Sequence, residues 1–171
     1  MMQEILTKMS LLMTTPETAN IKPIDDLLIK KVKALCAEGY RHYDNKEYKE
    51  ALRFFYKAWT ALPKPQANHE QGGWVLTAIG DCYFRSGQWE QGRESLSSAL
   101  HCPNMKGNPF IHLRLGQCLF ELGKHEDASE HLEQAYMNSG SKLFQNESPK
   151  YLMAAMVNVA ADAAKEDIQG N

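Results

Sequence analysis

Apolar residues recur along this chain at steps of three and four, in successive blocks separated by polar turns or prolines. Across residues 25–44, DDLLIKKVKALCAEGYRHYD, the positions Leu28, Val32, Leu35, Gly39 and His42 fall on one helical face, and Asp25 and Asp26 suit a helix start. A second helix is predicted from Glu47 to Leu62, with Ala51, Leu52, Phe55, Ala58, Trp59 and Leu62 inward and Pro63 and Pro65 ending it. GWVLTAIGDCYFR and SGQWEQGRESLSSALHC form the next pair, turned at Ser86 and Gly87 and stopped at Pro103. The third pair opens at Asn108, a capping residue, with Pro109 in the first turn, where a missing N–H costs nothing. It runs through FIHLRLGQCLFEL, turns at Gly123 and returns as KHEDASEHLEQAYMNSG to Gly140. Ser148 and Pro149 mark one more start, for a seventh helix, KYLMAAMVNVAADAAK, that has no partner after it.

Each pair carries the same skeleton of small residues: Gly39, Ala51 and Ala58; Gly80, Gly92 and Ala99; Gly116, Ala128 and Ala135. A small side chain is followed by another 12 positions on and a third 7 further. Such spacing lets paired helices approach closely and stack, so the fold class is all-α.

Leu35, Gly39, Ala51, Phe55, Ala58 and Pro63, then Leu76, Gly80, Tyr83, Trp89, Leu96 and Ala99, then Leu115, Gly116, Ala128, Leu132 and Ala135 resemble three tetratricopeptide repeats over about residues 32–140. The resemblance implies a right-handed α-solenoid of three helix hairpins plus a C-terminal capping helix. The repeats are expected at about 32–65, 73–106 and 109–142, the capping helix at 149–166, all within a domain spanning 25–171. The chain departs from the family pattern at Glu38, where an apolar residue is usual, at Gly92, which replaces alanine, and in steps of 41 and then 36 residues. The extra residues lie in PKPQANHEQGG and PNMKGNP, which read as loops between repeats. Ahead of the repeats, residues 1–24 read as an amphipathic segment followed by a linker, TTPETANIKPI. Ile5, Leu6, Met9, Leu12 and Met13 share one face of a helix too short to stand alone in water, so that segment docks on its own body, docks on a partner, or stays disordered.

Charge narrows the partners. Lysine and arginine number 19 against 21 acidic residues, a net of −2, so no broad positive field gathers nucleic acid or an anionic membrane. No run approaches the ~20 apolar residues of a membrane span. The opening MMQEILTKMSLLM lacks a basic lead and a small-residue cleavage site, and Cys36, Cys82, Cys102 and Cys118 show no CxxC spacing, so a reducing, cytoplasmic setting is expected. Catalysis has no advertised apparatus. His125 and His131, six apart, point about 120° away from each other on one helix and are expected to be solvated. His101 suits a helix C-terminus, His112 reads as an interior histidine, and His69 falls in the long loop. Gly72 and Gly73 lack the rest of a phosphate loop. Neither a metal nor a cofactor is expected.

In a tetratricopeptide stack the first helix of each hairpin lines the concave face. Projection on that pattern places Lys33, Cys36, Tyr40, Tyr43 and Asp44 there from the first hairpin, and Trp74, Thr77, Asp81, Phe84 and Arg85 from the second. Phe110, Leu113, Arg114, Gln117, Phe120 and Glu121 follow from the third, with Met153 and Val157 extending the surface. Of these, Tyr40, Tyr43, Trp74, Asp81, Phe84, Arg85, Phe110, Arg114, Gln117 and Phe120 are the candidate partner-binding residues: rings to take apolar side chains, and charges to set register. The competing reading is that rings at helical spacing are internal packing. The family's carboxylate-gripping groove uses lysine, asparagine and arginine at places that here hold Cys36, Tyr40, Ala78 and Phe110, and only Arg114 fits, which disfavours a co-chaperone of heat-shock protein tails.

The expected function is a non-catalytic protein-interaction module. In layout the chain resembles the tetratricopeptide chaperones of bacterial type III secretion, which hold a secreted protein. The third repeat with SPKYL is similar to small bacterial repeat proteins, some of which look like immunity proteins that block a cognate toxin. A scaffold self-associating as a homodimer through residues 1–13 is the third alternative.

Overall fold

The computed structural model describes residues 23–157, and the amphipathic segment at 1–13, with its proposed dimer contact, lies outside them, as does the capping helix beyond 157. Six helices are complete: α1 (Asp26–Asp44), α2 (Tyr48–Ala61), α3 (Glu70–Arg85), α4 (Trp89–Leu100), α5 (Pro109–Glu121) and α6 (His125–Ser139). A seventh, α7, starts at residue 149 and is described to residue 157. Short 3-10 turns occupy Gln66–Asn68 and Ser141–Phe144.

Local chemistry explains the helix ends. Asp25 caps α1 by accepting from the Leu28 N–H at 2.7 Å. Asn108 caps α5 by accepting from Phe110 and Ile111 at 3.0 and 3.2 Å, with proline in the first turn. The three tight hairpin turns each contain one residue at positive φ: Lys46 at 62°, Gly87 at 76° and Gly123 at 76°. Glycine adopts that conformation without Cβ strain in the latter two, whereas the first turn places a lysine there.

Helices α1 and α2, α3 and α4, and α5 and α6 pair as hairpins, and α2 with α3 and α4 with α5 join one hairpin to the next. In addition α1 touches α3 and α3 touches α5, so the odd-numbered helices lie side by side as one layer, the inner one, and the even-numbered ones form the outer layer. The small residues of the repeat skeleton sit at the closest approaches. A Cβ at Gly39 would meet the Phe55 ring, one at Gly80 would fall inside Leu96, and one at Gly116 would press on Leu132. Phe55, Leu96 and Leu132 are themselves fully buried, and each contributes about 1.5–3 kcal/mol of burial free energy because the facing glycine leaves it room.

The second hairpin begins earlier than its sequence suggests. Glu70, Gln71, Gly72 and Gly73 are helical rather than part of the connecting loop, and α3 starts directly after His69. The two glycines are required by proximity: a Cβ at Gly72 would overlap the Gln66 carbonyl and one at Gly73 would overlap Met105. Beyond α6, Gly140 at φ 69° reverses the chain, and Phe144 is buried against Leu113, Leu132, Ala135, Tyr151 and Ala155. This anchor draws residues 145–148 back toward the inner layer and sets the direction of α7.

Candidate functional site

The inner layer splits into an open and a covered part. At the open end Tyr40 and Trp74 are 42% and 37% exposed, and Lys33 lies over the Trp74 ring at 5.6 Å. Tyr40 stacks edge-on against Phe55 at 5.1 Å and Tyr43 at 6.1 Å, so its ring is held in place while one face meets solvent. Cys36 and Thr77 are half-buried beside them. Burial pushes the Cys36 thiol up to about 11, and burial together with the nearby Asp81 raises the Tyr40 hydroxyl to about 12, so both groups are neutral.

The covered part is built around Arg114, which is 4% exposed. Its Nε donates to Asp81 Oδ1 at 2.5 Å, and its Nη1 donates to Gln117 Oε1 and to Glu147 Oε1, both at 2.7 Å. Gln117 Nε2 donates to the other Glu147 oxygen at 3.0 Å, and Arg85 reaches Glu147 at 3.3 Å. The Tyr43 hydroxyl accepts from Arg85 Nε at 3.2 Å, and burial together with the nearby Asp81 pushes its pKa up. Two guanidinium groups and two carboxylates therefore cancel in charge within a closed network. Among the described residues every buried side-chain nitrogen and oxygen has a hydrogen-bond partner. Burial opposes the Arg114 charge, but Asp81 and Glu147 outweigh it and hold its pKa above the ordinary arginine value. The rings of Phe84 and Phe110 flank the same guanidinium at 5.1 and 5.0 Å.

Tyr151 of α7 completes the cover. It packs edge-on against Phe84 at 6.4 Å and Phe120 at 5.6 Å, and its hydroxyl donates to Glu121 at 2.6 Å. Lys150 pairs with the same carboxylate at 2.5 Å.

The sequence-derived set is thus distributed unevenly. Tyr40 and Trp74 face solvent, Arg85 is exposed while anchored in the network, and Tyr43, Phe84, Phe110 and Phe120 are half-buried. Asp81, Arg114 and Gln117 were expected on the surface but are buried at 6%, 4% and 0% exposure: Arg114 bonds to both Asp81 and Gln117, and Glu147 closes over Arg114 and Gln117. Leu113, expected in the groove, is core beneath α7. Met153 and Val157 are exposed. Glu147 and Tyr151 were missed: QNES carries no periodic signal, and Tyr151 reads as one more apolar residue of the last helix.

Outside this face, one histidine expectation is corrected. His131 is half-buried rather than solvated, with its Nδ1 2.9 Å from Nδ1 of His112, whose Nε2 lies 2.9 Å from the Lys106 carbonyl. The carbonyl can only accept, so His112 carries its proton on Nε2 and His131 donates from Nδ1. His69 is buried and precedes α3, and His101 contacts the Ser97 carbonyl at the end of α4. Among the described residues no group of three or more His, Cys, Asp or Glu is arranged to hold a metal ion, and no helix is long and apolar enough to cross a membrane.

No protein-family model matches the sequence, and no curated protein does. Solved structures do. The TPR domain of Sgt2 from Aspergillus fumigatus matches with a TM-score of 0.57, covering 81% of this chain and 82% of that one at 21% identity. The fold is that of a tetratricopeptide-repeat protein. It also resembles the type III secretion chaperone SycD of Yersinia enterocolitica, solved in complex with a peptide of the translocator YopD. That match has a TM-score of 0.55 at 16% identity and covers 84% of this chain and 98% of the other. A further SycD structure covers 88% of this chain and 92% of that one, at the same TM-score and identity. In tetratricopeptide terms the odd-numbered helices are the first helix of each repeat, and α7 takes the place of a fourth.

Proposed function

We propose that this chain is a non-catalytic module that holds a segment of a partner protein against the open part of its inner layer, most simply as a chaperone of a secreted protein. The observation that carries this reading is the pair Tyr40 and Trp74. Both lie on inner helices and both keep ring surface in solvent; Tyr40 is packed edge-on against Phe55 and Tyr43, and Lys33 lies over Trp74. Rigid rings bury large area at small conformational cost, which is what capture of apolar side chains needs. The SycD complex with a YopD peptide supports the reading by showing a neighbour of the same fold with a peptide bound.

The test is calorimetric titration with overlapping unfolded peptides from the proteins encoded beside this gene. At least one peptide is expected to bind, and Trp74→Ala is expected to weaken it by about 2 kcal/mol or more, roughly thirtyfold. Binding that requires a folded neighbour and survives Trp74→Ala would overturn the reading in favour of an immunity role.

A further inference from the structure

The covered part of the inner layer is arranged as a host around a guest. Glu147 is contributed by the stretch between the Ser141–Phe144 turn and α7, not by the inner helices. Its carboxylate is 8% exposed and receives hydrogen bonds from three side chains: Arg114 Nη1 at 2.7 Å, Gln117 Nε2 at 3.0 Å and Arg85 at 3.3 Å. The three donors come from α3 and α5, and each has a second anchor independent of Glu147. Arg114 is bonded to Asp81 and Gln117, its guanidinium lies between two rings, and Arg85 is bonded to Tyr43. The donors are therefore held in place by their own layer and aimed at one carboxylate position. Asp81 balances one of the two cations, and the second is left for whatever acid enters. Arg85, 37% exposed in its side chain, forms the edge through which that position meets solvent.

We propose that Arg114, Gln117 and Arg85 form a preformed receptor for a single carboxylate, which Glu147 fills in the free chain and which an Asp or Glu side chain of a bound segment takes over. The proposal rests on the peptide-binding reading for the source of the incoming acid. The receptor itself is defined by the chain alone. Two charged donors converging with one neutral amide on both oxygens of a carboxylate give charge-assisted bonds and strong geometric selectivity over an amide or a chloride ion. The ligand class follows: a partner segment carrying an acidic residue next to the apolar side chains that meet Tyr40 and Trp74.

The experiment removes the guest and offers a small substitute. Glu147→Ala in the full chain is titrated with sodium propionate, against sodium chloride and propionamide at matched ionic strength. Thermal midpoint and the side-chain N–H resonances of Arg85, Arg114 and Gln117 are followed. Propionate is expected to raise the midpoint of the variant saturably, by about 3 °C, and to shift those three sets of resonances. Propionamide and chloride are expected to do neither, and the wild-type chain, already filled, is expected not to respond. Adding Arg85→Ala to the variant is expected to abolish the propionate response. A response identical in chloride, or one that persists without Arg85, would overturn the proposal and leave Glu147 as a plain structural bridge. If Glu147→Ala does not fold unaided, the yield of refolded protein in propionate against chloride reads the same question. Failure of peptide binding in the Trp74 experiment leaves this outcome untouched, so the two readings fail separately.

Discussion

Arg114→Met isolates the energetic role of the covered network. The substitution keeps an unbranched apolar stem and deletes a guanidinium that donates to Asp81, Gln117 and Glu147 while nearly excluded from water. What remains is two carboxylates whose side chains are each 8% exposed. Glu147 keeps Gln117 and Arg85, Asp81 loses its guanidinium partner, and the local charge becomes net negative. Breaking a buried ion pair by removing one partner costs about 3–5 kcal/mol, mostly from the charge left behind. At ~2–4 °C per kcal/mol for a chain of this size, the thermal midpoint should fall by about 6–20 °C. The double variant Arg114→Met with Glu147→Gln removes one stranded charge as well, so its cost should lie about 1–3 kcal/mol below the sum of the single substitutions. Circular-dichroism melts of wild type, both singles and the double measure this directly. If Arg114→Met costs less than ~1 kcal/mol, the value for an exposed ion pair, or if the two substitutions add without coupling, the network does not have the buried character assigned to it.

Two further outcomes test the stack and its charge state. Gly80→Ala places a methyl group inside Leu96 and should cost about 1–3 kcal/mol by overpacking, with part of the loss recovered in Gly80→Ala with Leu96→Val; denaturant unfolding reads both. His131 has its pKa lowered below 6.5, chiefly by burial and also by His112, with Asp127 opposing. Its folded form therefore binds a proton less readily than its unfolded form, so its contribution to stability is full above about pH 6.5 and declines as pH falls below that value. Melts from pH 8 to pH 5 should show a decline that is reduced in His131→Asn.

The helices and their pairing were legible because they rest on local rules. Caps at Asp25 and Asn108, glycines at the turns, and small residues facing Phe55, Leu96 and Leu132 each leave a mark at a fixed offset. The start of α3 was not legible, because Gly72 and Gly73 look like loop residues until the Gln66 carbonyl and Met105 are seen against them. The histidine pair escaped for a related reason: a helical wheel compares His131 with its own helix, whereas its partner His112 belongs to α5.

The inner face shows the limit of projection most clearly. Marking positions of α1, α3 and α5 assumes that nothing lies over them, and it places Arg114, Gln117 and Asp81 beside Tyr40 and Trp74 as equals. What separates them is a stretch without periodicity, whose course is set by Gly140 and by the burial of Phe144, and whose acid lands on Arg114. Once that acid is bound, Arg114 no longer offers free positive charge to the groove. Recognition at the open end is left to the two exposed rings and Lys33, while any acidic group of a partner must compete with Glu147, which is tethered to the same chain and so present at high effective concentration. An acid alone should therefore bind poorly, and one presented by a segment already held at Tyr40 and Trp74 should bind well, which couples the two halves of the face into a single requirement for apolar and acidic residues in sequence.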